Sequence, residues 1–467
     1  LALAALGRLV DPCSKRAFAD WWKTTAADRF TKISAGALDH RKFWDAMRAV
    51  TIDELARIEH RLALRMVEVF GLDTSSLALD MTNFATYIDS TNDKAPIAQR
   101  GKAKQKRSDL RLVGLGLVVT RDGGIPLVSH AYAGNRPDVT QFTAMVDLLV
   151  ARHAALPAMT GTTPQMTVVF DAGQNSQPNL AHLHQAGLAF VGSVPPSDCL
   201  DLLARPASHR RLVDADRFGQ LTALDTRREI YGSDRRVVLT HSPTLHTAQS
   251  RGFDQTLAKT EAKLADLADT LARGKTRRSR VKVTAAIEQI VKDPWARRVI
   301  AWQLTGHTPP QHRLTWSIDE HARTTLQREV FGKRVLITDR DDWTVADVVA
   351  AYRSQSEAEF GFRQLKDPHV VSFSPMHHWT DHNIRVHVFT CVLALQIAHL
   401  MRRHAHQHDI HISVRELLDT LAGIEETVLI YPSTGGRPKA RRLLTETTPT
   451  QDKLIEIFDL TRWAPTT

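Results

Sequence analysis

Four short apolar runs between residues 77 and 170 constrain the fold of this chain more than any other feature. They are rich in Val, Leu and Ile, and their lengths and flanking turn residues favour strands. The second and third runs flank the segment Arg-Asp-Gly-Gly at 121–124, as consecutive strands joined by a tight turn would. A helical pattern at 138–152 precedes the fourth run. The pattern predicts an α/β fold, a sheet with helices around it; the runs are 77–80, 110–120, 125–132 and 166–170.

Helical spacing dominates the segment before these runs. Apolar residues recur at intervals of three and four over 14–70, which predicts a small all-helical module. Thr51 followed by Glu54 is typical of a capping box, in which each residue satisfies a free backbone N–H at a helix start. The last helix of the module is therefore expected to begin there.

The length of 467 residues exceeds the usual size of one core, so several domains or a large insertion are expected. A hairpin around 232–234, a helix at 253–272 and further short strands predict a β-rich insertion. Helical spacing returns at 345–365 and at 382–403. The predicted domains are an N-terminal helical module (1–73), the first part of a core (74–204), the β-rich insertion (205–333), the second part of the core (334–405) and a C-terminal basic helical region (406–467).

The charge balance favours a polyanionic partner. Lysine and arginine number 61 against 51 aspartates and glutamates, and the sequence pI is about 9.6. Cys13, Cys199 and Cys391 match no zinc-binding or disulfide spacing, which indicates a reducing cytosol. The apolar stretch 388–400 is too short for a membrane span and is expected to form a buried core helix. No segment indicates a signal peptide.

Three acids are candidates for catalysis: Asp80, Asp171 and Glu359. The first two follow apolar strand-like runs, and the third lies on a predicted helix among cations. Carboxylates without cysteine or histidine partners suit Mg²⁺ or Mn²⁺, and two such ions can stabilise the attacking and leaving oxygens of phosphoryl transfer. For any one of these acids, a turn or helix-cap role is the ordinary alternative.

The predicted helix at 345–365 carries a face suited to phosphate binding. Tyr352, Glu359 and Lys366 are spaced by sevens, so they point to one side of a helix. Gln355 and Arg363 lie one turn on either side of Glu359 and share this face. The alternative is a surface helix with an ordinary Glu359–Arg363 pair. Glu357 lies about 200° away and is expected to form a solvated pair with Arg353.

The segment YRSQSEAEFGFRQLK at 352–366 resembles the Tyr-x2-Arg-x3-Glu-x6-Lys motif of bacterial insertion-sequence transposases of the DDE type. LALDMTNF around Asp80 and VVFDAGQNSQPNL around Asp171 are similar to the two strand motifs of this family. RSDLRLVGLGLVVTRDGGIPL and the later Ala-Gly-Asn at 133–135 resemble its middle strands, so the likeness covers roughly residues 77–400. One position departs from the motif, because Gln355 stands where the family has arginine.

The resemblance implies a ribonuclease H-like core with a β-rich insertion before the last catalytic helix. Asp80, Asp171 and Glu359 would bind two Mg²⁺ or Mn²⁺ ions, and Tyr352 and Lys366 would contact transposon-end DNA. The implied activity is metal-dependent cleavage and strand transfer at the ends of an insertion sequence. The implied partner is double-stranded DNA, which includes the terminal inverted repeats of the element and the target DNA. The chain is also expected to form a homodimer on DNA. The implied location is the bacterial cytoplasm, associated with the nucleoid.

Two other functions stay open: a repurposed transposase that binds DNA without cutting it, and a ribonuclease H-like nuclease of another pathway. Several weaker signals also have two interpretations. The N-terminal module is a candidate for end recognition or for dimerisation, and two basic runs either follow a DNA backbone or are solvated loops. A histidine cluster suggests zinc or simply a polar helix end. These signals are Lys102, Lys104, Lys106 and Arg107; the run 273–282; a basic arm at 435–439; and His404, His406, His408 and His411.

Overall fold

The computed structural model describes residues 1–465 except 103, 105, 106, 108, 155–164, 276 and 433–438. The chain divides into two compact units. The first comprises Leu1–Phe190 and Ala350–Thr467, and the second is Val191–Val349. Both contain strands and helices, so the predicted mixed α/β class is confirmed.

The first unit opens with a helical segment, as predicted. The capping box is confirmed: the Thr51 hydroxyl accepts the Glu54 N–H at 3.2 Å, and the Glu54 carboxylate accepts the Thr51 N–H at 2.8 Å. The helix that starts there ends at Gly71, whose φ of +55° suits glycine. The helices are α1 (Ala2–Val10), α2 (Phe18–Trp22), α3 (Ala27–Thr31), α4 (His40–Ala49) and α5 (Ile52–Phe70).

The sheet of the first unit has the strand order β3-β2-β1-β4, followed by the first two residues of β5. The neighbours β1 and β2, and β2 and β3, are antiparallel, whereas β4 runs parallel to β1 with Leu77 opposite Val168. Two helices, α6 (Phe142–His153) and α7 (Gln177–Gln185), belong to the same unit. The strands are β1 (Ser76–Thr86), β2 (Arg111–Thr120), β3 (Pro126–Ala133), β4 (Thr167–Phe170) and β5 (Ala189–Val194).

The prediction that the first strand ends at residue 80 is wrong. β1 continues to Thr86, and its whole length pairs with β2, from Leu77 opposite Thr120 to Thr86 opposite Arg111. Thr82 and Asn83 interrupt the apolar run, but their backbone groups still form the ladder with β2. Asp80 therefore lies inside a strand, where the ladder fixes its backbone.

The longest helix of the first unit, α16 (Asp381–Gln407), is a core helix. Its length and hydropathy would suffice to cross a membrane, but 67% of its most apolar window is buried. Val388, Leu395 and Ala398 belong to the same apolar cluster as residues of β1 and β2. Several of its buried polar side chains bond to the protein backbone, as Gln396 does to the Pro126 carbonyl at 2.8 Å. The predicted core helix over 388–400 is confirmed.

His399 of α16 is buried and neutral. Its Nδ1 lies 2.8 Å from the Gly124 carbonyl oxygen and its Nε2 lies 2.8 Å from the Gln364 side-chain amide. Burial, aided by the positive charge of Arg402, lowers the pKa of His399 to about 3. In the unfolded chain this pKa returns to roughly 6.5, so the unfolded state takes up a proton first as the pH falls.

We therefore expect His399 to make the free energy of unfolding pH-dependent. Its stabilising contribution is complete above the unfolded pKa and is lost as the pH falls from about 6.5 toward 3. Between pH 7.5 and 5 the loss is about 2 kcal/mol. Urea unfolding of wild type and His399→Gln at both pH values measures it. Wild type should lose about 2 kcal/mol more than the variant, and an equal loss in the two proteins would contradict a neutral buried His399.

The second unit has the antiparallel strand order β5-β11-β8-β7-β6 and a separate hairpin of β9 and β10. The predicted hairpin around 232–234 is confirmed, with Ile230 opposite Ser233. The predicted insertion 205–333 lies within this unit, and its bounds stay a prediction. The strands are β6 (Arg211–Leu212), β7 (Thr222–Ile230), β8 (Ser233–His241), β9 (Ile300–Thr305), β10 (Arg313–Ile318) and β11 (Lys333–Thr338).

Helices are more numerous in the second unit than a β-rich insertion implies. The helix predicted at 253–272 begins earlier, at Pro243, because the Ser242 hydroxyl caps the Leu245 N–H. Three further helices over 280–330 were not predicted. The helices are α8 (Leu200–Leu203), α9 (Ala215–Phe218), α10 (Pro243–Ala272), α11 (Arg280–Ile290), α12 (Pro294–Val299) and α13 (Glu320–Val330); α14 (Val345–Arg353) starts here, and α15 (Gln355–Lys366) belongs to the first unit.

A helical C-terminal region is predicted from the sequence, but the structure contains strands there as well. Between α17 (Val414–Ala422) and α18 (Pro449–Ile457), strands β12 (Glu426–Tyr431) and β13 (Lys439–Leu444) form an antiparallel pair. Arg442 of β13 is ion-paired with Glu426 of β12. The predicted basic arm at 435–439 lies outside the described residues except for Lys439.

Candidate active site

Asp80 lies in β1, and Asp171 is the first residue after the neighbouring strand β4. β1 and β4 are parallel with Ala78 opposite Val169, and each aspartate lies two residues beyond that pair. Side chains two residues apart share one face of a strand, and adjacent strands are about 4.8 Å apart. The two carboxylates therefore project from the same face at the same level of the sheet.

Glu359 reaches this region on α15, which is held along β1 on both sides of the acid. The Gln355 side-chain amide donates to the Leu79 carbonyl oxygen at 2.9 Å, and the Lys366 ammonium donates to the Thr82 hydroxyl at 2.6 Å. Both partners are close neighbours of Asp80 in β1. Glu359 is exposed and has no ion-pair partner among the described residues.

The environment of Asp80 disfavours the charged form of its carboxyl group. Burial and, to a smaller extent, the negative charges of Glu359 and Asp171 raise the pKa of Asp80 to about 6. The Met81 N–H, which donates to the Asp80 carboxylate at 2.7 Å, and the Lys104 ammonium oppose this effect. Burial is the main cause and the neighbouring carboxylates add to it, so the charged form of Asp80 is disfavoured, and a bound cation would favour it.

The donor chemistry fits Mg²⁺ or Mn²⁺. All three acids offer carboxylate oxygens, the ligands that these hard cations prefer. Asp171 and Glu359 are exposed and Asp80 is half-buried, so the region is open on one side. Within the described ranges, no three His, Cys, Asp or Glu side chains are close enough to surround one ion as they stand. The role of the three acids as metal ligands therefore stays a prediction.

Tyr352 positions Asp171. Its hydroxyl donates to the Asp171 carboxylate at 3.2 Å, and only 9% of the residue is exposed. A phenol in this arrangement restricts the rotamer of the aspartate. The expected role of Tyr352 in contacting DNA stays a prediction, whereas its contact with a candidate metal ligand is present in the structure.

Two lysines lie beside the acids. Lys366 donates to Thr82, and burial together with the Lys104 charge lowers its pKa. The Lys104 ammonium is 2.9 Å from the Asp138 carboxylate and also donates to the Met81 carbonyl oxygen. The sequence shows Lys104 only as part of a basic run. Its position near Asp80 depends on the course of a loop, which the sequence does not indicate.

Gln355 and Arg363 differ from the expected phosphate-binding pair. Gln355 is 6% exposed, and its amide attaches α15 to β1, so it is not available at the surface for DNA. Arg363 is exposed, and its guanidinium lies over the Phe360 ring at 5.6 Å. No Glu359–Arg363 ion pair is present among the described residues, so the ordinary surface-helix alternative is also not observed.

The helix predicted at 345–365 is two helices. The Ser354 N–H is shared between the Ala350 and Ala351 carbonyls at 3.3 and 3.0 Å, and its hydroxyl donates to Ala351 at 2.6 Å. A serine hydroxyl that bonds back to the preceding turn bends a helix, which explains the break between α14 and α15. The break leaves Tyr352, Gln355 and Lys366 directed at the strands β1 and β4.

The expected pairing of Glu357 with Arg353 is wrong. Glu357 accepts from Arg402 of α16 at 3.0 Å, and the Arg402 side chain is 10% exposed. The carboxylate also packs against Gly124, where a Cβ would come within 2.8 Å of it and where φ is +67°. Glu357 therefore joins α15, α16 and the turn before β3, and it has a structural role.

The residues of the weaker sequence signals form contacts within the protein itself. The histidine cluster is a polar helix end, because His404, His406 and His408 all bond to backbone carbonyl oxygens. In the first basic run Arg107 pairs with Asp109, and position 106 lies outside the described residues. In the second run Arg280 bonds to the backbone of β9, and position 276 is not described. Their role toward DNA stays a prediction.

No protein-family model and no curated protein matches the chain. Among solved structures, the chain is similar to the piggyBac transposase in a cryo-EM structure of its synaptic complex with hairpin DNA. The TM-score is 0.39 at 9% sequence identity, over 90% of this chain and 69% of that chain. A likeness this distant carries no argument about function.

Proposed function

We propose that this chain is a DDE-type transposase that cuts DNA at the ends of an insertion sequence and joins them to target DNA. The observation that carries the proposal is the placement of Asp80 in β1 and of Asp171 directly after the adjacent parallel strand β4, next to the helix that carries Glu359. The three antiparallel strands followed by a parallel β4 support a ribonuclease H-like core. The motif at 352–366 supports the transposase class over other nucleases.

Asp80, Asp171 and Glu359 would hold two Mg²⁺ or Mn²⁺ ions. When bound, such ions activate the attacking oxygen and stabilise the leaving oxygen of a phosphodiester. Tyr352 keeps Asp171 oriented, and Gln355 and Lys366 hold the Glu359 helix on β1. Lys366 and Lys104 place positive charge beside the acids, where a phosphate backbone would approach. The exposed side of the site suits a polymeric substrate.

The proposed partners are the two terminal repeats, target DNA and a second copy of the chain. A transposase must process two element ends together, so we expect a homodimer on DNA with one active site at each end. The net charge of +10 favours association with the nucleoid in the cytoplasm.

The test uses the DNA that flanks the gene, in which inverted repeats identify the element ends. Purified protein, a fragment with both repeats and a target plasmid should yield breaks at the repeat ends and joined products in Mg²⁺. Cleavage of RNA–DNA hybrids without joining would assign the chain to another nuclease pathway. Tight repeat binding without breaks in Mg²⁺ or Mn²⁺ would make it a DNA-binding protein only.

A further inference from the structure

A cavity of about 400 Å³ lies in the first unit, away from the three acids. It is lined by the loop after α1, by α4 and by the segment that leads into α16. This volume is within the usual range for small-ligand sites. We refer to it as the basic aromatic cavity; its principal lining residues are Lys15, Arg16, Arg48, Trp44, Trp379 and Asn383.

The charge of the basic aromatic cavity is positive and largely unpaired. Arg16 and Arg48 are exposed and form no ion pair with any described residue. The Lys15 ammonium lies 3.0 Å from His378 Nε2, and burial together with the Arg8 charge lowers the pKa of Lys15 to about 8. No Asp or Glu is among the described residues that line the cavity. Such a set of cations favours a phosphate or another anion.

The cavity also offers surfaces for a flat ring. Trp379 is 51% exposed, and the Lys94 ammonium lies over its ring at 5.0 Å. Trp44 lines the same space. A solvent-facing indole near cations, such as Trp379, is a surface on which nucleic-acid bases stack.

A buried amide supplies the third recognition element. Asn383 is 6% exposed, it lines the cavity, and its Oδ1 has no hydrogen-bond partner among the described residues. An unsatisfied buried amide costs about 1–3 kcal/mol unless a ligand or water bonds to it. The amine or amide edge of a base would satisfy it.

We propose that the basic aromatic cavity binds a nucleotide of single-stranded DNA, with its phosphate on Arg16 and Arg48 and its base on Trp379 near Asn383. This inference rests on the proposed DNA-processing function. The segment that lines the cavity is hydrogen-bonded to the end of β1, the strand that carries Asp80. Tyr87 is the residue after β1, and its N–H donates to the Met376 carbonyl oxygen at 3.0 Å. Six residues of extended chain separate Asp80 from Tyr87, a distance on the order of 20 Å.

The test measures binding of a fluorescent oligodeoxythymidylate of about ten nucleotides in excess chelator, where cleavage cannot contribute. We expect Trp379→Ala to weaken binding about tenfold and Trp379→Phe to restore most of it. Arg48→Ala should reduce the slope of log affinity against log salt by about 0.7. Trp463→Ala is the matched control, because Trp463 is 48% exposed with Arg462 over its ring at 5.1 Å.

Equal affinities of the Trp379→Ala and Trp463→Ala variants would overturn the proposal. The proposal would also be overturned if inorganic phosphate or free dTMP displaced the oligonucleotide with an affinity equal to that of the oligonucleotide. The ligand of the cavity would then be a simple anion or a free nucleotide. The binding test in chelator does not depend on the acids at 80, 171 and 359. A negative binding result would therefore contradict the cavity proposal but not the proposed cleavage function. Loss of cleavage with unchanged oligonucleotide binding would contradict the cleavage function but not the cavity proposal.

Discussion

Glu359→Gln is expected to abolish DNA cleavage while leaving binding to the element ends intact. The substitution keeps the size of the side chain but removes the charge of a proposed metal ligand near Asp80 and Asp171. We expect a loss of at least about a thousandfold in the cleavage rate, about 4 kcal/mol of transition-state stabilisation. Gel-shift affinity should change less than about threefold, because Glu359 is exposed and holds no other described residue in place by an ion pair.

Glu357→Gln is the matched control, two residues away on the same helix. It removes the charge of a carboxylate that pairs with Arg402, so it should lower the free energy of unfolding by about 1–2 kcal/mol. Cleavage below the melting transition should stay within about threefold of wild type. An inactive Glu357 variant beside an active Glu359 variant would overturn the assignment of the third acid.

Cleavage is also expected to depend wholly on a divalent ion of the right size. In Mg²⁺ or Mn²⁺ the protein should cut its terminal repeats, and in Ca²⁺ or excess chelator it should bind them without cutting. All three acids offer carboxylate oxygens, and burial, followed by the charges of Glu359 and Asp171, raises the pKa of Asp80, so a hard cation would favour its charged form. Ca²⁺ binds similar oxygens at longer distances and in looser geometry, so it should not support the reaction.

The measurement is the initial rate of cleavage and the gel-shift affinity in the same buffers with each ion. A Glu359→Gln sample in Mg²⁺ reports any contaminating nuclease. Cleavage at the wild-type rate in chelator would exclude a metal-dependent mechanism.

Local features of the chain were predictable because their causes are local. The capping box at Thr51 and Glu54 and the alternation of strands and helices follow from neighbouring residues. The common direction of Tyr352, Gln355 and Lys366 follows from helical spacing, and it survives the break at Ser354. The three acids were candidates on local spacing together with the motif at 352–366, and their catalytic role stays a prediction.

Features that depend on distant contacts were not predictable from one sequence. Glu357 pairs with Arg402, 45 residues later, and nothing in the motif helix distinguishes Arg402 from the nearer Arg353. β1 extends past Asp80 because β2 supplies a partner strand, although Thr82 and Asn83 interrupt the apolar pattern. Gln355 is buried because α15 lies on β1, a packing that its polar side chain does not indicate.

The central claim is that Asp80, Asp171 and Glu359 are metal ligands in DNA cleavage, and an ion-preference switch tests it most directly. In Asp171→Cys a thiolate replaces a carboxylate, and the softer ligand favours Mn²⁺ over Mg²⁺. The cleavage rate of this variant, relative to wild type in the same ion, should be at least about tenfold higher in Mn²⁺ than in Mg²⁺. The same relative rate in both ions, or wild-type activity in Mg²⁺, would contradict the claim that Asp171 binds the catalytic metal.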